Sequence, residues 1–226
     1  MKNFLILIIC LFQILLTAQS KQSSFTGSIK YKMTTDDNQS EEFTMYFGKN
    51  KTMMDISSFK KYKFYDRTIS EFLNKNTNYY IINDDKKTID KSIINSFKPL
   101  NPQKSNIPNE TTLQAYSVTP YTINSTKNEY LGANFETKFE LLIADDLYFS
   151  VPNSTATQDI YCANGTGRIA LGVDKTMYSD QAIGGLQFGK LTTIRAIEIK
   201  EYDVPNEVFE IPKGYKLIEK GNLGLE

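Results

Sequence analysis

The feature that most limits what this chain can fold into is a strict alternation of side chains over residues 25–33, FTGSIKYKM. One parity is apolar or glycine and consists of Phe25, Gly27, Ile29, Tyr31 and Met33. The other parity carries only threonine, serine and lysine. Alternation with a period of two predicts a strand that has one face in water and one face covered. The cover is either packed side chains of the same protein or something that the protein carries.

The first residues have the features of a secretory signal peptide. Lys2 gives a positive start, the run FLILIICLFQILL is apolar, and AQS at 18–20 supplies small residues for cleavage. The run is shorter than the roughly 20 apolar residues that a bilayer span needs. Cys10 follows bulky residues rather than small ones, which argues against a lipid anchor. We therefore expect residues 1–20 to export the protein to the periplasm, the cell exterior or the outer membrane, with no transmembrane span after cleavage.

Residues 21–226 are expected to form a single β-rich domain, because this length is common for one domain and buries a core without disulfides. Lys plus Arg and Asp plus Glu both number 26, and the zero formal charge argues against a nucleic-acid partner. The chain has no histidine, and Cys162 is the only cysteine beyond the leader. The usual general base and the commonest metal ligand are therefore missing. We expect no cofactor, no metal site and no enzyme activity.

The alternation recurs along the chain. In FTMYF, Phe43, Met45 and Phe47 share one face, and the turn GKNK leads into TMMDI. The runs ISEFL and YYIIND follow, with an Asn-rich turn between them that is typical of antiparallel hairpins. Further strands are predicted at LQAYSV, NFETKFELLI, LYFSV, RIALGV, LQFGKLTTIRAIEIKEY and near the C-terminus, with loops at 98–110 and 152–167 and a helical turn within 174–185.

These segments predict a mainly β protein. We expect a strongly curved antiparallel sheet, a half-barrel, of roughly 8 to 11 strands, because sheets of this width curl or close. Little helix is expected to cover its concave side. A face with this many aromatic side chains would cause aggregation if it were left uncovered, so the concave face must be capped.

Three stretches resemble a group of exported bacterial proteins. The segment AIEIKEYDVPNEVFEIPKGYKLI is similar to their ending, in which a closing strand F-x-I-P-x-G-Y follows a V-P turn. ADDLYFSVPN resembles their x-D-D-L segment, and YFGKNKTMMDI with YDRTISEFLNKNTNYYIIND resembles their opening hairpins. The matching residues are Phe209, Ile211, Pro212, Gly214, Tyr215, Asp145, Asp146 and Leu147. On these residues the chain resembles the GLPGLI-type and related envelope proteins of Bacteroidota, which are distantly similar in shape to the LolA/LolB lipoprotein-carrier superfamily.

The resemblance implies a LolA/LolB-like half-barrel with an apolar hollow that helix or loop partly closes. In the carrier members such a hollow holds acyl chains. For this chain, the resemblance implies a hydrophobic small molecule or a lipid as the partner.

No short motif in the chain supports catalysis. Residues 57–60 match S-x-x-K, but neither S-D-N nor K-T-G accompanies them and they follow a strand. The neighbours at 145–146 point to opposite faces if they lie on a strand, and those at 84–85 are expected in a turn, so neither pair converges on one bond. The acidic residues within 36–42 lack the spacing of a calcium loop. The segment ANGTG at 163–167 precedes a strand instead of the helix that a phosphate site needs.

The remaining functional candidate is the apolar face itself. Methionine and aromatic side chains suit an adaptable pocket, and they suit an ordinary core equally well. The favoured hypothesis is an exported binding module that holds a lipid or lipopeptide-like molecule in the hollow of the sheet. The alternative is a structural or interaction subunit of an envelope assembly, with a filled core and an envelope protein as its partner. The predicted ligand lining is Ile29, Tyr31, Met33, Phe43, Met45, Phe47, Phe139, Leu141 and Ile143.

Overall fold

A computed structural model describes residues 23–60, 65–73, 76–95, 102–105, 111–130, 133–149, 165–179 and 191–222. For residues 124–130, 133–135, 177–179, 191 and 222 it describes the backbone alone. These ranges contain strands β1 (Gly27–Thr35), β2 (Ser40–Phe47), β3 (Lys51–Asp55), β4 (Arg67–Phe72), β5 (Thr77–Asn83), β6 (Thr88–Ile94), β7 (Gln103–Lys104), β8 (Thr112–Leu113), β9 (Tyr116–Tyr130), β10 (Ala133–Tyr148), β11 (Arg168–Ser179), β12 (Leu191–Glu201) and β13 (Lys216–Asn222), and one 3₁₀ helix, Asn206–Phe209.

The strands form one large sheet in the order β13-β6-β5-β4-β3-β2-β1-β12-β11-β10-β9-β7, and β8 pairs with β9 off this path. In the described residues β13 and β7 do not pair with each other, so the sheet is unclosed. The prediction of a mainly β, curved sheet with little helix is confirmed. The sheet is antiparallel, as expected, except at one edge, where β13 runs parallel to β6. Between β12 and β13 the chain crosses a face of the sheet. β13 therefore reaches its neighbour β6 without a hairpin, and the two strands run parallel.

Contacts across the interior show how strongly the sheet curls. Phe72 on β4 and Phe149 after β10 are six strand steps apart in the order, which is roughly 29 Å on a flat sheet. Their ring centroids lie 5.8 Å apart. The N–H of Phe25, just before β1, donates to the carbonyl oxygen of Tyr148 at 2.6 Å. We call the enclosed side of the curled sheet the inner face and the opposite side the outer face.

The outer face of β2–β6 is covered by residues 202–215, which we call the strap. Val204, Val208, Phe209 and Tyr215 of the strap pack in a cluster with Tyr46, Met53, Ile69, Tyr80, Ile82 and Ile89 of the strands. A Cβ atom built on Gly48 would lie 2.8 Å from the Phe209 ring, so the strap contacts the backbone of the turn after β2. The strap explains why β3–β6 carry large apolar side chains on a face that a simple half-barrel would leave in water.

The closing strand F-x-I-P-x-G-Y is not a strand. Phe209 ends the 3₁₀ helix, residues 210–215 are irregular, and β13 begins only at Lys216. Pro212 has no N–H to give to a ladder, and Gly214 has a φ of +81°. The matching residues of this motif, 209–215, therefore belong to the strap, which packs on the sheet instead of extending it.

Two other predicted elements differ from the structure. LQAYSV is a tight hairpin between β8 and β9, because Gln114 and Ala115 have φ angles of 50° and 67°. The predicted helical turn is wrong for 174–179, which continue β11 and pair with the long strand β10. Residues 180–185 of that prediction lie outside the described residues. The first predicted loop includes the short strand β7, and the second lies outside the described residues up to position 164, together with Cys162.

Candidate functional site

The structure brings the predicted lining residues together in one cluster on the inner face. Seven of them are almost completely covered, with exposed fractions of 0–4%. The other two, Met33 and Phe139, are partly buried and pack against the same cluster. Contact between any of the nine residues and a ligand stays a prediction. The seven are Ile29, Tyr31, Phe43, Met45, Phe47, Leu141 and Ile143.

Aromatic contacts fix the curl from inside. Tyr31 stacks on Phe43 with ring centroids 5.2 Å apart, and its hydroxyl donates to the carbonyl oxygen of Ala170 at 2.9 Å. Phe149 meets Phe47 edge-on at 5.4 Å, in addition to its contact with Phe72. Aromatic pairs of this kind add about 0.5–1.5 kcal/mol each beyond the area they bury. The covered part of the inner face therefore acts as the core that joins the two halves of the sheet.

An apolar rim continues this core towards solvent. Met33, Met54 and Phe139 are inner-face side chains that remain partly exposed while packing on the cluster. Met33 begins a row of side chains that runs across neighbouring strands through Ile194, Val173, Leu141 and Tyr121. We call Met33, Met54 and Phe139 the rim. The Lys175 ammonium lies 5.9 Å from the Phe139 ring centroid, so a cation borders the rim at this end.

The inner face of β3–β6 has a different chemistry. Thr52 on β3 pairs with Ser70 on β4, Ser70 pairs with Tyr79 on β5, and Tyr79 pairs with Ser92 on β6. Directly paired residues share a face and lie about 5 Å apart, so four hydroxyl groups follow one another across four strands. We call Thr52, Ser70, Tyr79 and Ser92 the hydroxyl row. Thr52, Ser70 and Ser92 are 2%, 7% and 5% exposed.

The outer face carries a cleft of about 380 Å³ between the sheet and the strap. Tyr80 and Phe209 are among its apolar walls, and Lys51, Glu71 and Glu210 bring charge to it. Burial raises the pKa of the Tyr80 hydroxyl. The cleft is a mixed polar and apolar recess on the face opposite to the predicted lining.

Glu71 is held as a carboxylate in this cleft. The side-chain amide of Asn78 donates to its Oε2 at 3.1 Å, and the Lys51 ammonium lies 3.0 Å from its Oε1. The hydrogen bond from Asn78, followed by that from Lys51 and the charge of Lys51, lowers the pKa of Glu71. A lowered pKa in the folded chain stabilises the fold above the ordinary carboxyl pKa, and this stabilisation is lost as the pH falls through the folded pKa.

Replacing Glu71 with glutamine is expected to reduce the free energy of unfolding at pH 7 by on the order of 1 kcal/mol, because the pair is partly exposed. The difference from the wild type should shrink as the pH falls below the ordinary glutamate pKa of about 4.3, because the unfolded wild-type chain then takes up a proton that the folded chain does not. Urea unfolding at a series of pH values measures the stability difference at pH 7 and its change with pH. Glu198→Gln, in an exposed pair with Lys200, is the control and should show little change. A Glu71→Gln deficit that stayed constant down to pH 3 would contradict the assignment.

The short motifs of the sequence form no catalytic arrangement in the described residues. Ser58 donates through its hydroxyl to the carbonyl oxygen of Glu42 at 2.8 Å, in a turn rather than a helix. Asp145 accepts a hydrogen bond from Thr119 at 2.8 Å, while Asp146 is exposed. Among the described residues no cluster of three or more His, Cys, Asp or Glu side chains could hold a metal ion. No helix in the described ranges is long and apolar enough to cross a membrane.

Asp84 has a structural role that the sequence did not reveal. It accepts hydrogen bonds from Arg67 at 2.6 Å and from the Tyr215 hydroxyl at 3.0 Å, and its N–H donates to Asp66 at 2.6 Å. The hydrogen bond to Asp84 raises the pKa of Tyr215. This network attaches the strap to the turn after β5.

Sequence reasoning also missed the hydroxyl row and the central position of Phe149. Phe149 belongs to the predicted strand LYFSV, and it is buried together with Leu147. Its contact with β4 depends on the curl, which no local pattern contains. Thr52, Ser70 and Ser92 resemble water-facing residues of an alternating strand, and only strand pairing places them side by side.

No family model and no curated protein sequence matches the chain. The chain is similar in structure to a LolA superfamily protein from Nitrosomonas europaea, with a TM-score of 0.26 and 7% sequence identity. The match covers 84% of this chain and 91% of that one. A likeness at this level carries no argument about ligand or activity. The relationship to GLPGLI-type proteins stays a prediction.

Proposed function

We propose that this protein is an exported, non-enzymatic binding module that holds a hydrophobic ligand, a lipid or a lipopeptide-like molecule, on the inner face of its sheet. Residues 1–20 would be the signal peptide and residues 21–226 the working domain. The ligand would meet the rim first, because the other predicted lining residues are already covered by their neighbours.

The observation that carries this proposal is the continuity of the apolar surface. The rim residues are partly exposed and at the same time pack on the buried cluster of the inner face. A ligand on the rim would therefore extend an existing core instead of covering an isolated patch. Two of the three rim residues are methionines, whose flexible side chains adapt to ligands of varied shape.

Export and ligand binding are tested on one preparation. The full chain is expressed with its own leader, and the exported protein is analysed by mass spectrometry, first denatured and then under native conditions. We expect the denatured mass to correspond to cleavage after residue 20 or close to it. We expect the native spectrum to show an additional lipid-sized mass that chloroform extraction removes. A protein that keeps its leader would contradict the export proposal.

Binding to the rim is measured with the uncharged fluorescent probe 1-N-phenylnaphthylamine. The double variant Met33→Ala/Phe139→Ala should weaken probe binding about tenfold, because two apolar contacts are lost. Leu217→Ala is the matched control, since Leu217 is a 49% exposed apolar residue of β13 and lies outside the inner-face cluster. Failure of the wild-type protein to bind the probe, or equal binding by both variants, would refute the proposal.

A filled core supports the second candidate, an interaction subunit of an envelope assembly. Seven predicted lining residues are 0–4% exposed, as in an ordinary core. Several large apolar side chains are exposed elsewhere, including Tyr202 and Ile211 at 39% each. Cross-linking in the native envelope distinguishes the two candidates. Capture of one defined partner through Tyr202 or Ile211, by a protein that carries no lipid, would favour the second.

A further inference from the structure

We infer that the inner face of β3–β6 is a head-group site for amphiphiles whose head group is uncharged and rich in hydrogen-bonding oxygens, such as a glycerol ester. The inference rests on the proposed function, because it names the kind of hydrophobic ligand that the inner face prefers.

The first support is the arrangement of the hydroxyl groups. The hydroxyl row places four hydroxyl-bearing residues, with Cβ atoms about 5 Å apart, side by side on four neighbouring strands. Thr68 and Thr77 lie two residues from Ser70 and Tyr79 on the same strands, so they share the face of the row. Hydroxyls can both donate and accept, and this suits the ester and hydroxyl oxygens of a neutral head group.

The second support is Thr77. Its side chain is 1% exposed, and within the structure as described its Oγ1 has no hydrogen-bond partner. A buried hydroxyl without a partner is unfavourable, and such groups are rare in native proteins. A ligand oxygen that bonded to Thr77 would remove this cost.

The charge on this face determines the kind of head group. Along β3–β6 the only charged side chain in an inner-face position is Asp90, paired with Lys220 at 3.6 Å. The lysines and arginine of these strands, Lys51, Arg67 and Lys91, occupy outer-face positions. Lys220 of β13 is thus already paired with Asp90, and β3–β6 place no cation on this face, so burying a carboxylate or phosphate on the hydroxyl row is less favourable than burying a neutral head group.

The row of side chains next to the hydroxyls supplies the apolar part of the site. It runs from Met45 through Met54 and Thr68 to Ile81, and both Met54 and Ile81 are partly exposed. An amphiphile with its head group on the hydroxyl row would place the start of its chain beside Met54, which belongs to the rim. Because the hydroxyls are nearly covered, the head group reaches them only when the side chains above them move aside.

Head-group preference is measured by competition against 1-N-phenylnaphthylamine on the exported wild-type protein at pH 8. The competitors are 1-monopalmitoylglycerol, which is neutral, and palmitate, which has the same acyl chain and a negative charge. We expect the neutral competitor to displace the probe at about tenfold lower concentration. Equal displacement, or a preference for palmitate, would overturn the inference.

Variants connect the preference to the hydroxyl row. In Ser70→Ala/Ser92→Ala the preference should fall to about threefold or less, because two hydroxyls are removed from the row. Thr44→Val is the control, since Thr44 pairs with Asp55 on the outer face and should leave the preference intact. If the double variant fails to fold, Thr52→Val removes a row hydroxyl at constant volume and should also lower the preference. A preference that no row variant changes would overturn the assignment to this face.

The two proposals fail in different ways. If the probe binds and palmitate competes as well as the glyceride, the binding function stands and the head-group site is refuted. If neither the probe nor either competitor binds, the binding function itself is refuted, and the head-group site with it.

Discussion

Replacing Gly27 with alanine is expected to lower the free energy of unfolding by about 3 kcal/mol or more. Gly27 has a φ of +150°, which side chains rarely tolerate. A Cβ atom at this position would lie 2.0 Å from the carbonyl oxygen of Lys200 on β12 and 2.9 Å from the Phe25 ring. The contact to Lys200 is with backbone, so relief requires β1 and β12 to separate at the centre of the sheet. Urea unfolding followed by circular dichroism measures the loss.

Gly214→Ala is the matched control for the Gly27 variant. Gly214 has a φ of +81°, and a Cβ atom there would meet nothing within 4 Å. Only the backbone strain remains, and it costs about 1–2 kcal/mol. The difference between the two variants is therefore the cost of the close approach of β12 to β1. If Gly27→Ala were no worse than Gly214→Ala, the two strands would be free to move apart, and the close pairing would not be needed for stability.

Local alternation predicted the inner residues of β1 and β2 well, because on these strands the apolar parity faces the core. Phe43, Met45 and Phe47 lie together, as their spacing in FTMYF indicates. The same rule assigns the wrong face on β4. There Ile69 points to the outer face and packs under the strap, while Thr68 and Ser70 point inwards. A period of two shows which residues share a face, but it does not show which face another part of the chain will cover.

Strand order could not be predicted from the sequence for a related reason. β1 pairs with β12, whose residues follow it by more than 150 positions in the chain, and β13 joins β6 in parallel. Hairpins are encoded by neighbouring residues, whereas such long-range pairs depend on how the whole sheet packs. The turn at Gln114 and Ala115 was not predicted for a different reason. Both residues have positive φ angles, but neither is the Gly or Asn that usually marks such a turn.

Of the candidate site, the sequence predicted the membership of the apolar cluster but not its depth. Ile29 and Met33 lie on the same face of β1, four residues apart, yet Ile29 is 0% exposed and Met33 remains partly exposed. Both residues lie between β2 and β12, but Ile29 is flanked by Met45 and Ile199, whereas Met33, towards the end of β1, has Glu41 as its neighbour on β2. Depth of burial is a property of the curl, and the curl depends on contacts between β4 and β10.

Those contacts depend on Phe149, and its replacement is the second large effect that we expect. Phe149 is 0% exposed and meets Phe47 and Phe72, so it joins the end of β10 to β2 and β4. Phe149→Ala should lower the free energy of unfolding by about 3–5 kcal/mol, since it removes a buried ring and leaves a cavity. Phe149→Leu, which keeps most of the volume, should cost about 1.5 kcal/mol or less. Urea unfolding measures both.

A double-mutant cycle distinguishes the contact between β4 and the end of β10 from a general loss of core packing. Phe149→Leu combined with Phe72→Leu should show a coupling free energy of at least about 0.5 kcal/mol, because the two rings touch although six strand steps separate them. Phe149→Leu combined with Ile89→Val, a conservative change in the outer-face cluster under the strap, should be additive to within about 0.5 kcal/mol. Additivity in both cycles would mean that β4 and β10 do not meet in solution. The sheet would then be flatter than described, and the enclosed inner face on which both proposals depend would not exist.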